Sequence, residues 1–387
     1  MHVERFAAVW LALAAALAAA CGEDGLKTCG NGAVDAGETC DDGDDDPANG
    51  CDLACQPVPG EVWRHDDTDL DDMFFVQGIA VGGDGHVCLA GDRGLAGIVV
   101  AFAPDGTELW RKEIDVEGVH AVAADATGAC YVHGSTLAKL DADGEVLWMT
   151  ARTGRPGGMV LGVETVDVLY GDGSSDTAPL RLLRHATKDG APRWDLGFGD
   201  PAAMPAAVDL TLVNTSLAVL ASNSPGDFLV VVDAATGTAD PPISLDSLGH
   251  HDGLRGYDGE LLALRGRGDG NGAPAAVQRI GLDGALKWTH EFPDAAVDII
   301  GLAIGPEGSI VASGIVPWGE HRSLLMSMGP DGELLWTIEH PPVAPSTDTG
   351  MTIPAFGPNY LVVAGLDFTY DMNNYSLDRI WIRRYGR

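Results

Sequence analysis

Short apolar runs separated by polar, glycine-bearing turns fill the chain from Val76 onward, and the spacing of the runs repeats. The first set reads QGIAV, HVCLAG, GIVVAFA and ELWRKEI, and the next reads VHAVAA, ACYVHG, LAKLDA and EVLWMT. Short runs rich in Val, Ile, Leu and aromatics, bounded by Asp, Gly and Pro, predict β-strands. Each set therefore predicts four strands. Most sets close on one frame, Asp-Gly, three residues, then Trp: Asp105–Trp110, Asp143–Trp148, Asp189–Trp194, Asp283–Trp288 and Asp331–Trp336. Gly supplies the positive φ that closes a hairpin turn, and the residues after it alternate as a strand does.

The Trp residues stand 47, 38, 46, 94 and 48 residues apart from Trp63 to Trp336. The interval of 94 is two units, so unit four lacks its Trp; Thr236-Gly237 keeps the turn and Pro241 stands near the vacant place. Units of this length with four strands predict the blades of a β-propeller. Seven units begin near Val76, Gly118, Met159, Ala207, Gly253, Ile299 and Met351. The seventh ends at Arg387 after three strands, while an orphan Glu61-Val62-Trp63-Arg64 stands ahead of the first. Pairing that orphan with Asp378–Tyr385 completes the seventh blade and removes an exposed sheet edge. The expectation is an all-β, seven-bladed propeller over 60–387, closed by its amino-terminal strand. One Trp at an equivalent place in six blades (Trp63, Trp110, Trp148, Trp194, Trp288, Trp336) predicts inter-blade packing, with each indole N–H reaching a turn carbonyl.

The Gly-x-x-x-Trp frame, with the Asp233–Gly237 variant in unit four, resembles the repeat of the PQQ-like propellers over most of Glu61–Arg387. That repeat is shared by quinoprotein dehydrogenases, assembly scaffolds and surface proteins, so it implies the blade and not the chemistry. The dehydrogenases would bring a calcium-bound quinone, an Asp base and often an adjacent cysteine pair; no Cys-Cys pair exists here. A sialidase-type box fails as well, since its turn separates Asp from Gly by one residue.

Ahead of the propeller the pattern changes. Residues 1–20 read as a signal peptide, Arg5 followed by an apolar run from Phe6 to Ala20 that is too short to span a bilayer comfortably. Leu17-Ala-Ala-Ala-Cys21-Gly22 resembles a bacterial lipobox, which implies cleavage before Cys21 and its acylation, with 21–28 as a tether. Such an anchor is the only membrane contact the sequence implies. Gly22 rather than Asp after that Cys favours the outer membrane or cell surface.

Four cysteines then fall within 29–56: Cys29, Cys40, Cys51 and Cys55. In an exported chain they predict two disulfides, in any of three pairings, substituting for an apolar core. CGNG, GETCDDG and GCDLAC resemble the cysteine-rich repeat of myxobacterial surface proteins. The acidic run offers Asp41, Asp42, Asp44 and Asp46 as candidate calcium ligands, against a solvated acidic spacer, and it does not fit EF-hand spacing. No metal site is assigned to the cysteines: thiols in an exported chain oxidise and no His lies near them.

The formal net charge of −34 excludes a sequence-independent nucleic-acid binder. Cys88 and Cys130 fall on the same strand of adjacent units and are expected as separate buried thiols. His250-His251-Asp252 reads as a solvated loop, because adjacent side chains on extended backbone point apart. His120 and His133 read as channel or core histidines, and Arg267-Gly268-Asp269 as a tripeptide in a flexible turn. No catalytic residues are assigned. The expectation is a monomeric envelope lipoprotein, a non-catalytic platform for an envelope or extracellular protein or polysaccharide. Its rival is a hydrolase or quinone-dependent dehydrogenase with a site at the channel mouth.

Overall fold

A computed structural model describes residues 31–34, 40–41, 43, 50–51, 55, 58–67, 74–151, 154–171, 180–198, 206–222, 226–266, 274–292, 298–316, 322–340, 347–371 and 374–386. Residues 1–20, read above as a signal peptide, Cys21 with residues 22–28, Cys29, Asp42, Asp44, Asp46 and Arg267–Asp269 lie outside them. The chain divides into two compact units, Met1–Pro59 and Gly60–Arg387. In the first, Cys40 and Cys51 form a disulfide with Cα atoms 5.9 Å apart, and Cys55 is buried.

The second unit is a seven-bladed β-propeller of seven four-stranded antiparallel sheets. Among the described residues the only helical turn is a short 3-10 segment, Pro306–Gly308. Blade 1 comprises Phe75–Val81, Val87–Arg93, Ala96–Phe102 and Glu108–Ile114; blade 2 Ala121–Ala124, Cys130–His133, Thr136–Leu140 and Val146–Ala151. Blade 3 comprises Arg155–Leu161, Thr165–Gly171, Leu180–Ala186 and Pro192–Phe198; blade 4 Ala206–Val213, Ser216–Ser222, Asp227–Asp233 and the stub Ile243–Ser244. Blade 5 comprises His251–Tyr257, Glu260–Arg265, Ala276–Ile280 and Leu286–Glu291; blade 6 Asp298–Ile304, Ile310–Val316, Arg322–Met328 and Leu334–His340.

Blade 7 takes Thr347–Phe356, Leu361–Asp371 and Asn374–Tyr385 from the end of the chain and Glu61–Asp67 from its start. The two ends pair antiparallel, Trp63 opposite Arg384 and Asp67 opposite Ile380. Ile380, Trp381 and Ile382 are buried beneath this pairing. In each blade the first strand lies innermost, and the seven innermost strands neighbour one another in sequence order around the ring. Apolar clusters fill the wedges between blades; one joins blades 7 and 1 through Val362, Ile380, Val87 and Phe102.

Five of the six repeat Trp residues bridge to the next blade. Trp63, Trp110, Trp148 and Trp288 donate their indole N–H to the carbonyls of Pro104, Ala142, Thr187 and Pro330, at 2.7–3.1 Å. Their rings cover the turn glycines Gly106, Gly144, Gly190 and Gly332, and Trp194 covers Gly237 in the same way. A side chain on any of these glycines would enter the indole. In blade 4 the substitute is Ile243, whose Cγ2 covers Gly284, and not Pro241.

Cys88 and Cys130 correct an expectation. They form a disulfide between blades 1 and 2, Cα–Cα 5.9 Å, with both residues fully buried. The wedge here narrows: the innermost strand of blade 2 has only four residues, Ala121 to Ala124, and small Ala90, Val99 and Ala138 pack around the bridge. Equivalent strands thereby approach closely enough to be linked.

Candidate functional site

The inner strands do more than line a hole. Six of the seven carry a register shift at one equivalent place: Val76/Gly78, Pro156/Met159, Ala207/Asp209, His251/Gly253, Ile299/Gly301 and Gly350/Thr352. A bulge re-aims side chains, and such irregularities gather next to functional sites. Here they surround a central cavity of about 760 Å³, lined by Gln77, His120, Asp209, His250, Asp252 and Arg255 among others.

Gly78, Gly253 and Gly301 stand just past the shift, and Gly158 lies within it. Glycine is needed where neighbouring strands touch, since a Cβ on Gly158 would lie 2.2 Å from the backbone nitrogen of Leu210. Blade 4 puts Asp209 there instead. Its carboxylate fits because Gly158 and Gly253 leave room on either side, at 2.5 and 3.3 Å from the Cβ each lacks. Asp209 Oδ2 accepts from the Leu254 amide at 2.9 Å and from Arg255 Nη1 at 2.8 Å. Arg255 is further fixed by donating to the carbonyls of Leu302 and Leu254. The result is a guanidinium held rigid at the cavity wall between blades 4, 5 and 6.

The adjoining group is built on a buried acid. Asp227, 1% exposed, opens the third strand of blade 4 and faces the entry to blade 5. One oxygen lies 3.1 Å from His250 Nδ1; the other accepts the His251 amide and lies 3.0 Å from His251 Nδ1. His251 Nε2 reaches Gln278 Oε1 at 2.8 Å. Burial alone would raise the Asp227 pKa, but bonds from the His251 ring and backbone, Ser222 and the charge on His250 outweigh it and hold it below the usual range. Asp227 is thus an acceptor, and both His residues donate to it from Nδ1. The segment read as a solvated loop is anchored: the two rings diverge in direction yet straddle one carboxylate. His251 is buried within the blade, while His250 and Asp252 line the cavity.

Asp252 moves the other way. Desolvation by the channel wall raises its pKa, the charges of Asp298 and Asp227 add to that, and those of His250 and His251 oppose it. His250 Nε2 lies 3.6 Å from Asp252 Oδ1. His120 lines the same cavity, and His133 is wholly buried, its Nε2 3.2 Å from the Leu169 carbonyl. Among the described residues no three His, Cys, Asp or Glu side chains converge on a metal position.

The candidate calcium ligands are represented by Asp41 alone. Its Oδ1 accepts the amides of Gly32 and Gly43 at 2.9 Å each, and Oδ2 that of Asn31 at 3.2 Å, so it ties two turns together. Asp209, Asp227 and Arg255 were not singled out by sequence reasoning. A signal existed for the first: Asp in the strand AAVDLTL stands where neighbouring repeats carry Gly.

A profile of the family described as outer membrane protein assembly factor BamB matches residues 58–265. Among solved structures, virginiamycin B lyase from Staphylococcus aureus is 12% identical with a TM-score of 0.56, over 84% of this chain and 99% of that one. Hydrazine synthase of Kuenenia stuttgartiensis is 14% identical, TM-score 0.57, over 80% and 96%. BamB from Moraxella catarrhalis is 14% identical, TM-score 0.46, over 81% and 86%. At these identities the likeness is one of fold. No curated protein matches the sequence.

Proposed function

The chain belongs to the PQQ-like repeat family of the outer membrane protein assembly factor BamB, and on that premise we propose that it is an envelope lipoprotein whose propeller binds other proteins as a scaffold. In this reading Cys21 carries the lipid, the acidic cysteine module spaces the propeller from the membrane, and the work is binding and not catalysis. The two disulfides support export, because disulfides persist in oxidising compartments.

One observation carries the binding reading. In every blade with a repeat Trp, the outermost strand shifts register immediately before that Trp and extrudes one residue: Val62, Leu109, Leu147, Arg193, Lys287 and Leu335. Blades 6, 7, 1 and 2 are consecutive around the ring, and theirs are the apolar ones. Leu335, Val62, Leu109 and Leu147 are 56, 56, 45 and 54% exposed. Val146, Met149 and Leu334 extend the same arc, whereas blades 3 and 5 extrude Arg193 and Lys287, with Leu286 beside Lys287 as the one large apolar residue exposed on those two outer strands. An apolar arc on one side of a rim made of edge strands suits a protein partner.

Photo-crosslinking in intact cells tests this. A photoreactive residue at Leu109 or Leu147 should capture a discrete envelope protein, and one at Lys287 should not. Glu at Leu109, Leu147 and Leu335 together should abolish capture without lowering the melting temperature. Equal capture from both sides of the rim, or none from the apolar arc, would overturn the proposal.

A further inference from the structure

The channel wall between blades 4 and 5 holds a pair of donors whose arrangement goes beyond a scaffold. His250 and Asp252 stand two apart and both face the cavity, while His251 between them is buried in the blade. Asp252 is the extra residue of the bulge between His251 and Gly253, and the bulge sets its carboxylate beside the imidazole of His250. The separation of His250 Nε2 from Asp252 Oδ1 is 3.6 Å, longer than a hydrogen bond.

That span fits a shared cation. With metal–nitrogen and metal–oxygen bonds of about 2.0–2.2 Å, tetrahedral ligands lie about 3.4 Å apart, and 3.6 Å corresponds to an angle of about 120°. An octahedral ion would require about 3.0 Å between adjacent ligands at the same bond lengths. The opposite edge of the His250 ring is held by Asp227, a carboxylate with 1% exposure. A carboxylate behind a histidine fixes the tautomer that leaves Nε2 as ligand and strengthens it as a base. Asp298 adds a carboxylate within electrostatic reach of Asp252. One nitrogen and one oxygen donor select a borderline ion of the zinc type over calcium or magnesium.

We propose that His250 and Asp252 form a two-residue binding site for a divalent transition cation of the zinc type, with Asp227 as the positioning residue. The remaining coordination positions open onto the central cavity, where water or an oxygen of a small ligand completes the shell.

Cobalt(II) added to the metal-stripped full chain, disulfides intact, tests this as a spectroscopic probe. The expected result is one equivalent giving visible absorption of a tetrahedral or five-coordinate ion, displaced by one equivalent of zinc. H250Q and D252N should each weaken binding at least tenfold, and D227N roughly 10–100-fold, the usual cost of losing an outer-shell partner. Circular dichroism and melting curves distinguish loss of the site from loss of the fold. D252N replaces a half-exposed side chain with one of nearly equal shape, and so keeps the test decisive should H250Q misfold. Absence of a cobalt spectrum, or binding that survives both H250Q and D252N, as it would if the acidic cysteine module held the ion, overturns the proposal.

Discussion

The indole nitrogen of Trp63 donates to the carbonyl oxygen of Pro104 across 3.0 Å, joining the amino-terminal strand of blade 7 to the Asp-Gly turn of blade 1. The same ring covers Gly106, and its strand pairs with the last strand of the chain. One residue thus holds two closures, the sheet within blade 7 and the ring between blades 7 and 1.

Deleting residues 60–66 removes both. Trp63 is half-buried against the cluster that joins blades 7 and 1, so losing its contact costs less than the about 3–5 kcal/mol of a fully buried Trp. Together with the lost strand pairing it is still a large part of the about 5–15 kcal/mol of a typical domain. The deletion also bares the edge of Asn374–Tyr385, which carries Ile380 and Ile382. The expected outcome is aggregation, or a broadened melt many degrees below the parent. Trp63→Ala, which keeps the strand, should fall between the two; a deletion variant that melts like the parent refutes the closure account.

Most of this was legible because repetition converts local pattern into global shape. The Asp-Gly-x-x-x-Trp frame marks outer strand and turn, the 94-residue interval marks the blade without a Trp, and the orphan Glu61–Arg64 marks the seam. What escaped was set by depth within the blade. Cys88 and Cys130 looked too distant because equivalent strands were taken at an average separation, whereas propeller blades converge toward the axis and small residues line this wedge. The channel cluster escaped for another reason. Asp227 is separated from His250 by 23 residues and by a stub strand, so their meeting depends on where the chain turns between blades. The Ile243 substitution for Trp was equally hidden, since a two-residue strand carries no alternation to read.

Covalent linkage of blades 1 and 2 should be measurable. The Cys88–Cys130 bridge closes a loop of 42 residues. Chain entropy for a loop of that size gives about 4 kcal/mol of stabilisation. The double variant Cys88→Ala/Cys130→Ala should therefore lose a few kcal/mol in denaturant unfolding and keep the same far-ultraviolet spectrum. Single variants should be no more stable than the double. An unchanged midpoint would mean the bridge does not form in solution.

Cys21→Ser should abolish labelling by a radioactive fatty acid and release the chain from membranes. A variant that fractionates with membranes as the parent does would remove the lipoprotein reading while leaving the propeller untouched.

Acid should weaken the fold through two buried histidines. Burial depresses the pKa of His133 to about 3. His340 is also lowered to about 3, by burial first and then by the charges of Arg383 and Arg379. Its Nδ1 accepts from Arg383 Nη1 at 3.1 Å and its Nε2 lies 2.9 Å from the Tyr385 hydroxyl, so the neutral ring joins blade 6 to the last strand of blade 7. The unfolded chain protonates these rings near pH 6.5 while the folded chain resists until about 3. Between those values the unfolded state holds more protons, so stability rises with pH there and is lost as pH falls. Above about pH 6.5 both states are neutral and neither ring contributes a slope. Each ring accounts for a loss on the order of a few kcal/mol across the window. His340→Gln, which can accept from Arg383 without titrating, should flatten the decline between pH 6 and 4 and show little change at pH 8. A variant whose pH dependence matches the parent's would place the acid sensitivity elsewhere.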